Sequence, residues 1–137
     1  MDDRILLEIL TPERQVFAAE VDWVTLPGSD GEMTILPEHV PIVTSLDSGV
    51  LFYDQDGQVS RMAVHYGYAQ LQGNTLTVLP NLVERAEEID LDRAREAEQR
   101  ARAALQELAG KGDANGDKLK KNEGKLRRAL NRQAVRA

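Results

Sequence analysis

Four arginines carry the plainest chemistry in this 137-residue chain. Arg93 and Arg100 lie seven residues apart, and Arg128 and Arg132 four apart, so on helices each pair shares a face. Guanidinium forks match the oxygens of phosphate groups. Two such helices packed antiparallel would gather the four around one polyanion. Asp90, three residues before Arg93, would repel phosphate and serves better as a helix cap. A second reading is bland: Arg93 with Asp90, and Arg100 with Glu96, as exposed ion pairs worth a few tenths of a kcal/mol, and Arg128 and Arg132 as members of a basic face. The residues alone leave both open.

Other chemistry is sparse. His39 and His65 are the only histidines, and the chain has no cysteine. There is no Gly-x-Ser-x-Gly, no HExxH and no phosphate-binding Gly-Lys-Ser/Thr loop. His39 sits in "LPEHVP", between two prolines, and reads as a contact or structural residue on a rigid corner. The segment "GSDGEMTILPEHVPIV", 28–43, has two readings. One is an edge strand, Met33–Leu36, followed by a loop that Pro37 and Pro41 stiffen and exclude from further ladder bonding. The other is a preformed docking loop with Glu32, Glu38 and His39 at its surface.

The elements that must position these residues fall into two parts of opposite charge. Residues 1–88 hold 4 basic and 15 acidic side chains, and residues 89–137 hold 13 and 8, within a net charge of −6. Opposite signs predict different partners for the two parts. Short strands are predicted at 4–10, 21–26, 33–36, 50–53, 59–66, 68–71 and 75–79, separated by Gly, Asp and Asn turns; this is the pattern of an all-β N-terminal sandwich or barrel. After Pro80 the period changes. Leu91, Ala94, Ala97, Ala101, Leu105 and Leu108 form one helical stripe, with Asp90 as N-cap and Asp92 complementing the first turn. The helix stops near Gly110. A loop over 110–117 with an Asn-Gly turn leads to a second helix from Lys118 to about Arg136, with Asp117 as its cap. Its stripe is thin (Leu119, Leu126, Leu130, Ala134), and Gly124 costs about 1 kcal/mol relative to alanine. The chain therefore divides into an all-β part, 1–86, and a C-terminal α-helical hairpin, 87–137, whose second helix moves most easily.

The absence of cysteine suits a reducing compartment. "MDDRILLEIL" is not a secretory signal, and no segment approaches the roughly 20 apolar residues of a membrane span, so membrane association is expected only through a partner. From Lys118 onward eight basic residues face a single acid, Glu123. A helix of that length, about 30 Å, would grip an acidic surface. A nucleic-acid role for this tail is disfavoured by the acidic sandwich and the lack of aromatic residues near it.

"LPGSDGEMTILPEHVPIVTSLDSG" resembles the Gly-x-x-Gly-Glu…Ile-Leu-Pro-x-His-x-Pro signature of the epsilon subunit of rotary, F-type ATP synthases. "GYAQLQGNTLTVL", 67–79, is similar to that family's closing strand pair, and "ERAEEIDLDRA", 84–94, to its strand-to-helix junction. The resemblance covers nearly the whole chain and is weakest in the Gly-rich loop and basic second helix. It implies a non-catalytic rotor subunit of a proton- or sodium-translocating synthase, peripheral to the cytoplasmic face of the bacterial inner membrane. The sandwich would bind the gamma subunit and the membrane c-ring, with Glu32, Met33, Glu38, His39, Pro41 and Ile42 as contacts. The hairpin would lie folded on the sandwich or extend toward the alpha/beta catalytic ring and inhibit ATP hydrolysis through Lys121, Lys125, Arg128 and Arg132.

In some bacterial members an Ile-Asp-x-x-Arg-Ala motif accompanies ATP binding. Here it is Ile89-Asp90-Leu91-Asp92-Arg93-Ala94, with Glu84 and Arg100 on the same pattern and Arg128-Ala129-Leu130-Asn131-Arg132 resembling the run that completes the site. The resemblance thus implies ATP as a regulatory ligand and no required cofactor, with Ile89 and Ala94 walling the base and Asp90 as cap or as acceptor for its amino group. The alternative is a stand-alone nucleotide-sensing module.

Overall fold

The computed structural model describes residues 4–110 and 116–136. Strand β1, Ile5–Leu10, alternates buried and half-buried residues along its whole length, which places Ile5, Leu7 and Ile9 in the interior. It pairs antiparallel with β2, Gln15–Val21, and parallel with β8, Thr75–Arg85. The remaining strands are β3 (Trp23–Gly28), β4 (Gly31–Ile35), β5 (Ile42–Leu46), β6 (Gly49–Gln55) and β7 (Gln58–Gln72). The hydrogen-bonded order is β2-β1-β8-β7-β5-β3-β4, with β6 bridging β3 and β7. The strands fold over one core of Leu26, Ile35, Leu51, Leu76, Val78 and their neighbours, giving the expected β-sandwich.

Several strand expectations need correction. β2 was not foreseen: its apolar residues Val16, Phe17, Ala18 and Ala19 are consecutive rather than alternating, and this edge strand is only partly buried. β5 begins at Ile42, immediately after Pro41, where ladder bonding was expected to be denied. Val43 instead pairs with Gln70 and Leu46 with Gly67. The two strands expected at 59–66 and 68–71 are one strand, β7. Its register on β8 passes Tyr66 unchanged, from His65↔Leu82 to Gly67↔Pro80. Tyr66 and Gly67 take φ of +61° and +109°, and this local departure faces Pro80, which has no N–H to give. β8 therefore runs on through Pro80 to Arg85 instead of ending at Leu79.

A 3-10 turn, Ala86–Glu88, leads to α1, Leu91–Gly110. Asp90 caps α1: its Oδ1 accepts the backbone N–H groups of Asp92 and Arg93 at 3.1 and 3.2 Å. The α1 stripe is as expected, with Ala94 and Ala101 buried. The reading of 110–117 as a loop falls mainly on residues 111–115, outside the described residues. α2 spans Gly116–Arg136, so Asp117 lies within its first turn rather than at its cap.

The packing face of α2 differs from the expected leucine stripe. Leu119 and Leu130 are exposed at 37% and 39%, while Ala129 and Val135 are buried. This helix must seat against both α1 and strands β6 and β7, and it does so through small and hydrogen-bonding side chains. Asn131, Arg132 and Gln133 each bond a different partner across the seam. Val135 packs with Ala63 and Ile89 in a second small apolar cluster. Arg61 Nη1 donates to the Ala134 carbonyl at 3.2 Å, satisfying one of the free carbonyls of the last turn. In this structure the hairpin thus lies folded on the sandwich, held through α2.

Candidate functional site

The end of β8 supplies Glu84, the junction supplies Glu88, Ile89 and Asp90, α1 supplies Arg93, Ala94, Ala97 and Arg100, and α2 supplies Arg132. Together they line one open cleft of about 310 Å³. Seven of the eight nucleotide-site residues singled out from the sequence meet there. The eighth, Arg128, lines an adjoining groove of about 390 Å³ between the helices, with Ala97, Arg100, Ala101, Ala104, Asn122, Lys125 and Arg132. Ala97, Arg100 and Arg132 border both spaces, so the two lie side by side.

Among the described residues the groove lining has four cations and no carboxylate, whereas the cleft has three carboxylates at the junction end. A ligand spanning both would meet acceptors first and a concentrated positive field second. The ion pairs that would make the arginines ordinary surface chemistry do not form among the described residues. Asp90 spends Oδ1 on backbone N–H groups, and Arg102 pairs with Glu98 on α1, whereas no Arg100–Glu96 pair forms. Arg93 and Arg100 thus present guanidinium groups not drawn into those pairs, as phosphate binding needs, while Arg132 is paired with Glu84. Ile89 and Ala94 are 6% and 3% exposed, so each offers only an edge to the cleft.

Glu84 is the most constrained of these side chains. Arg132 Nε donates to its Oε1 at 2.7 Å, and His65 Nε2 lies 2.9 Å from the same oxygen. The His65 hydrogen bond is the leading cause that holds the carboxyl below its ordinary value of 4.5. Desolvation opposes it, and the bond and charge of Arg132 add to the lowering. His65 and Ser48 were missed as contributors, and Asn131, though part of the run expected to complete the site, was not foreseen as the partner of Ser48, because the three come from separate segments. No spacing signal links them. Glu88 and Ala97 flank the junction motif and were missed for want of distinctive chemistry.

Gly124 also has a use beyond its helix cost. A Cβ at this position would sit 3.3 Å from Arg128 Nη1 and 3.7 Å from the Tyr66 hydroxyl, so glycine seats both groups against α2.

The loop near His39 forms a separate surface. Glu38 takes φ of +66°, its N–H donates to Asn74 Oδ1 at 3.2 Å, and His39 Nδ1 is 2.8 Å from the Val40 carbonyl. Glu32, Glu38 and Pro41 are exposed, and Met33, His39 and Ile42 half-buried. No cluster of three or more metal-ligating side chains occurs among the described residues. None of their helices is long and apolar enough to cross a membrane.

Residues 4–87 match the family model "ATP synthase, Delta/Epsilon chain, beta-sandwich domain", and residues 87–135 match "ATP synthase, Delta/Epsilon chain, long alpha-helix domain". The chain is 39% identical over 136 residues to the ATP synthase epsilon chain of Nitratidesulfovibrio vulgaris, covering 99% of this chain and 98% of that one. It is 48% identical over 105 residues to that of Carboxydothermus hydrogenoformans, covering 77% and 78%. In fold it resembles a chain of the Euglena gracilis mitochondrial ATP synthase assembly of OSCP, F1 and c-ring, at a TM-score of 0.82 and 20% identity over 98% of this chain and 82% of that one.

Proposed function

The chain belongs to the family of ATP synthase epsilon chains, and from that premise we propose that it is a non-catalytic rotor subunit whose folded hairpin binds ATP. The sandwich joins the gamma subunit and the c-ring of the central stalk through the surface carrying Glu32, Met33, Glu38, His39, Pro41 and Ile42. Its place is peripheral, on the cytoplasmic face of the bacterial inner membrane, reached only through the complex. The likeness to a chain from an assembly that includes F1 and a c-ring supports the association with the complex.

The observation that carries the nucleotide reading is the convergence of Glu84, Ile89, Asp90, Arg93, Ala94, Arg100 and Arg132 on one cleft that only a folded hairpin creates. The base lies at the junction end, against Ile89 and Ala94, within reach of Glu84. Asp90 is committed to the helix cap. The phosphates lie toward Arg93, Arg100, Arg128 and Arg132. ATP binds a cleft made by both helices and the strand end, so it favours the folded state by its differential affinity. Loss of ATP releases α2, and Lys121, Lys125, Arg128 and Arg132 then become available to the alpha/beta ring, where they brake hydrolysis.

Calorimetry of the full chain with ATP tests this reading. Binding is expected for the wild type and a loss of about tenfold or more for Arg93→Ala and Arg132→Ala. A second arm is limited proteolysis of α2: unchanged cleavage at saturating ATP would overturn the coupling. Co-purification with gamma separates the rotor role from a stand-alone nucleotide sensor.

A further inference from the structure

Ser48, His65 and Glu84 form one hydrogen-bonded chain along the seam between the sandwich and α2. Ser48 Oγ lies 2.9 Å from His65 Nδ1, and His65 Nε2 lies 2.9 Å from Glu84 Oε1. Two successive residues of α2 close its ends. Asn131 Nδ2 donates to Ser48 Oγ at 3.1 Å, and Arg132 Nε donates to Glu84 Oε1 at 2.7 Å.

The hydrogen positions follow from the end groups. A guanidinium and an amide nitrogen only donate, and an ionised carboxylate only accepts. With neutral His65, Nε2 carries the hydrogen toward Glu84, and Nδ1 accepts from the Ser48 hydroxyl, whose oxygen accepts from Asn131. Each link then has one donor and one acceptor, and the buried imidazole, 2% exposed, leaves no polar atom unsatisfied.

His65 does not line the cleft, but Glu84 does. Both hydrogen bonds to Glu84 fall on Oε1, and no described residue donates to Oε2. We propose that His65 is a positioning residue for ligand recognition: it fixes Glu84 so that Oε2 accepts from the exocyclic amino group of the bound base, which makes the site prefer an amino-bearing purine. This rests on the nucleotide reading of the cleft. Arg132 cannot do the same work, because it sits on the movable helix and phosphate competes for its guanidinium. His65 stands on β7, paired with Leu82 of β8 and next to Val64, which pairs with Gly49 of β6, and it holds Glu84 whether or not Arg132 is drawn away. A support fixed by packing and hydrogen bonds is what precise recognition requires.

The test compares ATP with inosine triphosphate, which carries a carbonyl where adenine has its amino group, by calorimetry on the full chain. The variants are His65→Gln, which keeps a donor near the Nε2 position, and His65→Leu, which fills the space without one. The wild type is expected to prefer ATP by about tenfold, the worth of one hydrogen bond to a charged group. His65→Gln is expected to keep most of that preference and His65→Leu to lose it. The ATP/ITP ratio is independent of the fraction folded, so a purely structural role for His65 would not move it. An unchanged ratio in His65→Leu, or an equal loss in both variants, overturns the proposal while leaving the nucleotide site standing. Failure of the wild type to bind ATP overturns both.

Discussion

Arg132 of α2 and Glu84 of β8, 48 positions apart, are joined by a bond of 2.7 Å between Nε and Oε1. The pair is mostly screened from solvent, with side-chain exposures of 26% and 20%. It ties α2 to the last strand at the edge of the cleft. A second charged link between α2 and the sandwich among the described residues, Arg127–Asp47, is 54% and 39% exposed, and a pair so exposed contributes little.

Arg132→Ala is therefore expected to weaken docking of α2 by about 1–2 kcal/mol, because it strips a part-buried carboxylate of one donor. Asp47→Asn is expected to cost less than about 0.5 kcal/mol. Hydrogen exchange of α2 amides without ligand reads both. Equal protection losses in the two variants would contradict the ranking.

Acid should loosen the seam. Glu84 has a folded-state pKa below its ordinary 4.5, owing first to the hydrogen bond from His65 and, against desolvation, to Arg132. A depressed carboxylate pKa gives stability that is present above the unfolded value and is lost as pH falls through the folded one. Glu98, lowered by Gln133 of α2 and Arg102 of α1, acts in the same direction between the helices. Thermal melts followed by circular dichroism are expected to show destabilisation from about pH 5 downward, with a shallower pH slope in Glu84→Gln. A slope identical to the wild type would exclude Glu84 as a contributor.

Gly67→Ala should be among the most damaging single changes. Its φ is +109°, and an added Cβ would lie 2.2 Å from the Leu79 carbonyl oxygen and 2.7 Å from Pro80 Cα. Backbone cannot yield as a side-chain tip does, so a loss of more than about 2 kcal/mol is expected in urea unfolding.

Gly124→Ala should go the other way. The nearest atom to the new Cβ is the flexible end of Arg128, at 3.3 Å. The guanidinium can shift, and the helix gains about 0.5–1 kcal/mol. Higher α2 protection with weaker ATP binding is the expected combination, since Arg128 leaves its seat.

The face of α2 can be tested directly. Leu130→Ala, on the exposed side, is expected to change stability by less than about 0.5 kcal/mol. Ala129→Leu, at a position with no exposed surface, is expected to cost about 1–3 kcal/mol by overpacking. The reverse order would restore the leucine stripe as the packing face.

Local periodicity determined much of this protein without any coordinates. The alternation of β1, the turn residues between strands, the Asp90 cap and the alanine stripe of α1 are short-range features, each specified within a few residues. So were the positions of the arginines along their helices, although the residues alone left phosphate binding and ordinary ion pairing both open. Only the tertiary structure decided which face of α2 turns inward, that β7 and β8 continue past Tyr66 and Pro80, and that Ser48 and His65 stand behind Glu84. Those outcomes depend on contacts between residues far apart in the chain. Small side chains and paired polar groups at a seam offset their own desolvation only when their partners arrive, and neither leaves a periodic trace in sequence.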